Sequence, residues 1–98
     1  MGEPKTLYAE FTARRGHEDE VERLVAGLAE HVRQEPGNVS FIAHRLAEDP
    51  AAFFVYEEYA DADAFEAHLR SEHGIAFNAE LSAHIVEDGS RLTWLERI

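Results

Sequence analysis

The chain has no cysteine at all. That excludes disulfides, thiolate metal ligands and a cysteine nucleophile, and it fits a cytoplasmic protein. Basic residues are scarce: nine Lys and Arg against twenty Asp and Glu leave a formal net charge of −11, with no basic patch to interrupt it. Nucleic acid and anionic membrane surfaces are therefore not expected as partners. No apolar run approaches the length that crosses a bilayer. Met1-Gly2-Glu3-Pro4 leads straight toward the first strand-like segment, so no signal or transit peptide is expected. The glycine patterns that cradle phosphates or dinucleotides are missing, and so is a GxSxG elbow for a serine nucleophile. No nucleotide or flavin cofactor is expected.

What remains is a chain of 98 residues, 45% of them hydrophobic. This suits a single domain over 1–98, large enough for its own core and small enough to gain from a second subunit. From Thr6 to Ala13 the residues alternate, with Leu7, Ala9, Phe11 and Ala13 on one face. After Gly16, acidic residues gather at Glu18, Asp19 and Glu20, where a helix N-terminus favours negative charge. Val21, Leu24, Val25, Leu28 and Val32 then form one apolar helical stripe that stops before Pro36-Gly37.

Asn38 to Leu46 alternates again, Glu48-Asp49-Pro50 reads as a turn, and Phe53 to Ala60 reads as the returning strand of a hairpin. Asp61 is a good N-cap for a helix that places Phe65, His68 and Leu69 on one face. Ser71 to Gly74 interrupts the pattern, a helix is expected over Ile75 to Ile85, Asp88-Gly89 makes a turn, and Arg91 to Arg97 is the last strand. This order predicts a ferredoxin-like α+β fold of the split βαβ type: a four-stranded antiparallel sheet with all helices on one face. The other face would carry Tyr8, Ile42, His44, Phe54 and Tyr56, joined by Trp94 or Leu95 according to register. A lone subunit cannot cover that many large side chains, so a homodimer through the sheet face is expected.

If Phe53 and Val55 face the helices, the two-residue period of a strand turns Glu57 and Tyr59 toward them as well. A carboxylate and a phenol among Phe11 and Phe41, opposite a helix carrying His68, resemble a pocket wall more than a core. Each residue also has a plain structural reading: Glu57 hydrogen-bonded to His68 as a structural pair, His73 as a helix cap or surface residue, Tyr59 as a strand aromatic, and Phe11, Phe41 and Phe77 as core. His68 and His73 are five apart, which does not stack them on one helical face, and no third ligand has motif spacing; no metal site is expected.

Three segments, EPGNVSFIAHR, FFVYEEYAD and AFEAHLRSEHGIAF, closely resemble the antibiotic biosynthesis monooxygenase domain family, in order and over most of the chain. The resemblance implies a dimeric α/β-barrel of ferredoxin-like subunits. It further implies, for the quinol-oxygenating branch, a cofactor-free monooxygenase that joins dioxygen to a quinol or polycyclic phenol. On the family pattern Glu57 matches the strand glutamate, Tyr59 the Trp/Tyr position, and His68 and His73 the two histidines. His68 or His73 would be the base, Glu57 would orient the imidazole, Tyr59 would hydrogen-bond the substrate oxygen, and Phe11, Phe41, Phe77 and Asn78 would bind the ring. Haem degradation is disfavoured, because the places of that branch's strand-one asparagine, strand-three tryptophan and ligating histidine hold Phe11, Tyr59 and Asn78 here. An acidic, phosphate-bearing substrate is also disfavoured by Glu58, where the family often has a basic residue, and by Glu72 in the Ser71-Glu72-His73 segment. The alternative within the same fold is a small-molecule isomerase or a non-catalytic dimeric binding module. The volume of the space between sheet and helices discriminates among them.

Overall fold

The computed structural model describes residues 2–98; Met1, the first residue of the lead-in segment, lies outside the described residues. The elements run β1 (Lys5–Thr12), α1 (Glu18–Val32), β2 (Asn38–Leu46), β3 (Asp49–Tyr59), α2 (Ala62–Arg70), α3 (Glu72–Leu81) and β4 (Arg91–Leu95). The sheet has the order β2-β3-β1-β4, with every neighbouring pair antiparallel. This is the expected ferredoxin-like α+β arrangement.

Period-two burial sets the sheet. Leu7, Ala9 and Phe11 of β1 pair with Glu57, Val55 and Phe53 of β3, and all six are buried toward the helices. Tyr8, Phe54, Tyr56 and Ile42 occupy the opposite face. In β4, Trp94 pairs with Leu7 and Leu92 with Ala9, so both lie on the helix side, and Trp94 packs edge-on against Phe65 at 4.9 Å between centroids. Leu95 pairs with Thr6 and belongs to the outer face.

Helix α1 buries Val21, Val25, Leu28, Ala29 and Val32 against the sheet, while Leu24 is only half-buried at the margin of the stripe. Its N-cap is His17, reached through Gly16 at φ 86, a left-handed conformation that glycine adopts without strain. At its far end Arg33 donates from Nε and Nη2 to the Phe41 carbonyl, which fastens the helix terminus to β2.

Several boundaries differ from the sequence expectation for local reasons. The hairpin turn is the two residues 47–48, and Asp49 and Pro50 already belong to β3, where Arg45 Nε donates to the Pro50 carbonyl. The interruption between the last two helices shrinks to Ser71, whose extended ψ of 148° breaks the helical path. Its hydroxyl donates to the His68 carbonyl and accepts from Gly74 N–H, capping α3, which therefore starts at Glu72. At the other end α3 stops at Leu81, and Ile85 pairs with Ala13 in an isolated bridge instead of continuing the helix.

Candidate functional site

Between the sheet and the α2–α3 pair lies a cavity of about 310 Å³. Its aromatic wall consists of Phe11, Phe41, Phe65 and Phe77, with Glu57, His68 and Asn78 as polar members. Residues 88–90 and Leu92 close one side. Of the residues singled out from sequence, Phe11, Phe41, Phe77, Asn78, Glu57 and His68 meet at this cavity. Tyr59 and His73 are not among the residues that line it.

Tyr59 is displaced from the cavity by what covers it. The rings of Phe65 and His68 lie 5.3 and 5.2 Å from its own, and its hydroxyl donates to Glu57 Oε1 at 2.8 Å. The expected Glu57–His68 hydrogen bond is thus replaced by a Tyr59–Glu57 bond. Successive inward-facing residues of one strand are neighbours by geometry, whereas His68 sits across the layer. Burial pushes the Glu57 carboxyl above the usual carboxylate range, opposed by the Tyr59 hydrogen bond and by nearby His68, and reinforced by Glu35. Burial, with the Glu57 carboxylate beside it, drives the Tyr59 hydroxyl far above the ordinary phenol range, so it stays a neutral donor.

The partner of His68 is Glu35, a residue that its sequence position at the end of α1 marks only as a helix terminus. Glu35 Oε2 lies 3.0 Å from His68 Nδ1 and 2.5 Å from His73 Nε2. An ionised carboxylate only accepts, so each imidazole presents an N–H to it. That leaves Nε2 of His68 as its free nitrogen. His31 stacks on the outer side of His73 at 5.4 Å and 14°.

The Glu35-Pro36-Gly37 turn explains how the carboxylate reaches this position. Pro36 cannot continue the helix. Gly37 then abuts α2 so closely that a Cβ there would lie 2.3 Å from the Ala64 Cβ. The backbone is pinned by Ala60 N–H donating to the Gly37 carbonyl at 2.9 Å. Close approach of this turn to α2 delivers Glu35 to the side of His68.

A four-stranded antiparallel sheet, helices on one face and a cavity between the layers define a ferredoxin-like α+β protein with a small-molecule-sized site. The sequence profile of the family described as antibiotic biosynthesis monooxygenase matches residues 4–80, and the chain belongs to that family. Among solved structures, the Pseudomonas aeruginosa protein PA3566 is similar at 30% identity and a TM-score of 0.91, over 100% of this chain and 97% of that one. A structure described as an antibiotic biosynthesis monooxygenase is similar at 24% identity and a TM-score of 0.89, over 96% of this chain and 98% of that one. Rv0793 from Mycobacterium tuberculosis shares the fold, at 20% identity and a TM-score of 0.89, over 97% and 95%. No curated protein sequence matches the chain. Among the described residues, no helix is long and apolar enough to cross a membrane.

Proposed function

We propose that the protein is a cofactor-independent monooxygenase that oxygenates a small phenol or quinol with dioxygen, using His68 as the base. The observation that carries this reading is the cavity itself: aromatic walls, one imidazole with a free nitrogen, and one buried carboxyl. A solid core would have favoured a structural role. About 310 Å³ lies at the lower end of the range for small-molecule sites, roughly 300–1,000 Å³, which favours a ring system of one or two rings over a larger polycycle.

The substrate hydroxyl gives its proton to His68 Nε2, and Glu35 supports the resulting imidazolium through Nδ1–H. The oxyanion then passes an electron to dioxygen within the partly dry cavity. One oxygen atom joins carbon and the other leaves as water; the substrate loses two hydrogens and supplies all four electrons that dioxygen takes. Tyr59 does not contact the substrate in this scheme. Its hydroxyl is committed to Glu57, and Glu57, whose carboxyl burial pushes above the usual range, borders the substrate as a polar wall residue. His73 acts through Glu35.

We further propose that the outer sheet face forms a homodimer. Ile42, Tyr56 and Tyr8 stand side by side across three strands, Tyr8 stacks on Phe54 at 4.8 Å, and Ile42 and Leu95 remain 47% and 41% exposed. A solution mass of one chain at dilution would overturn this. Oxygen consumption with a panel of one- and two-ring quinols, with three-ring anthrones as the larger comparison expected to react less, on metal-stripped protein, tests the activity. Turnover that is lost on replacing His68 with Ala is expected; turnover unchanged in that variant rejects the base assignment.

A further inference from the structure

We propose that Glu35, His68 and His73 form a binding site for a first-row divalent cation, and that the cation switches the His68 base off. One nitrogen from each imidazole and a carboxylate oxygen lie within 4.8 Å of one another, the only such group of three or more among the described residues. Two imidazoles and one carboxylate are a donor set suited to zinc, iron, cobalt or nickel. With metal–ligand bonds of about 2.0–2.1 Å, ligand atoms around one tetrahedral ion stand about 3.3 Å apart. The two Glu35 distances, 3.0 and 2.5 Å, therefore need to open by only a few tenths of an ångström to about one ångström, within reach of side-chain rotation.

Three features support a bound cation over a closed hydrogen-bond network. The donor atoms come from separate elements, the turn after α1 and helices α2 and α3, so an ion would be held in a preformed cleft and not along one flexible segment. The side chains are 14%, 12% and 25% exposed, sheltered yet reachable from solvent. His68 alone of the three borders the cavity, so an ion held on its Nδ1 beside Glu35 stands next to the site without lying in it. The chain's net charge of −11 raises the local cation concentration.

The functional consequence follows from which nitrogen is used. The cation replaces the proton on His68 Nδ1, because Nδ1 faces Glu35. Neutral imidazole must then carry its remaining proton on Nε2, where it can donate but no longer accept. The metal-free protein is the competent form, and the occupied protein is not. This second half rests on the proposed role of His68; the binding half does not.

Two readouts keep the halves apart. Zn²⁺ titrated calorimetrically into chelator-treated protein, with no substrate present, is expected to bind one equivalent per chain. Co²⁺ is expected to give the visible absorption bands of a nitrogen- and oxygen-ligated low-symmetry ion. Glu35→Gln and His73→Ala, both partly exposed positions whose replacement leaves the core intact, should each weaken Zn²⁺ binding by about 10–100-fold. His84→Ala should leave it unchanged. No stoichiometric binding, or binding lost only in His84→Ala, overturns the site. Binding as expected with oxygenation unaffected by stoichiometric Zn²⁺ overturns the switch while leaving the site standing. Absence of any turnover in metal-free protein with all substrates counts against the function and leaves the binding result to be judged alone.

Discussion

Helices α1 and α3 run in opposite directions and are tied together by histidines at both ends, yet the two ends are built as different devices. At one end His17 Nδ1 and His84 Nδ1 face each other at 2.9 Å, so one must donate and the other accept. Each ring spends its Nδ1 on the other, and the Glu80 carboxylate stands off at 3.8 Å from His84 Nε2 and not between the rings. At the other end Glu35 stands between His68 and His73 and takes an N–H from each, so each ring keeps a nitrogen uncommitted to the other. Only this end opens onto the cavity. The difference shows that histidine content alone does not mark a site; a carboxylate between the rings and a hollow beside them do.

The largest loss of stability is expected at the closed end. Ile85, fully buried beside His84 and paired with Ala13, should cost about 3 kcal/mol when replaced by Ala, read from urea unfolding, while specific activity of the folded fraction stays the same. At the open end His68→Ala should lower oxygenation about 100-fold, with circular dichroism unchanged, whereas His84→Ala should stay within about twofold. Glu35→Gln should reduce kcat by about 10-fold and leave KM almost untouched, since Glu35 positions the imidazoles and does not touch substrate.

Smaller effects sharpen the contrast through pH. Glu87 accepts from the Thr12 backbone N–H and hydroxyl, both at 2.8 Å. Burial alone would raise its carboxyl, but these two hydrogen bonds hold it below the usual range. Its contribution is therefore present above the unfolded value near 4.5 and is lost as pH falls through the lower folded value. Glu87→Gln should cost a small amount at neutral pH, held below about 1 kcal/mol by solvent screening of this partly exposed group, and nothing once the carboxyl is protonated. Glu57 has the opposite sign. Its raised folded value favours the native state below 4.5, and that benefit disappears as pH rises through the folded value. Glu57→Gln, which keeps an acceptor for Tyr59, should raise Tm slightly at neutral pH and not in acid.

Much of this layout was legible in the sequence because it depends on period. Alternation through β1 and β3 turns Leu7, Ala9, Phe11, Val55 and Glu57 inward, and the α1 stripe needs nothing beyond a spacing of three and four. Glu35 was not legible as a site residue, because it follows the last turn of α1, where no period assigns a direction. Its placement depends on the contact between Gly37 and Ala64, residues distant in sequence. Periodicity puts Tyr59 on the helix side of its strand, but it does not give the ring that lies over it or the Glu57 partner of its hydroxyl. The single-residue break at Ser71 was equally hidden, since a capping serine and a longer loop look alike in one sequence.

That break at Ser71 makes the join between α2 and α3 a length gauge. His68 and His73 converge on one carboxylate oxygen although they stand on different helices with Ser71 alone between them. One residue inserted on either side would turn His73 by about 100° around its helix and carry it away from Glu35. The hairpin at 47–48 and the loop after α3 bear no such constraint on the triad. Relatives that keep the three side chains should therefore vary in length at those places, and hold the spacing between the two histidines fixed.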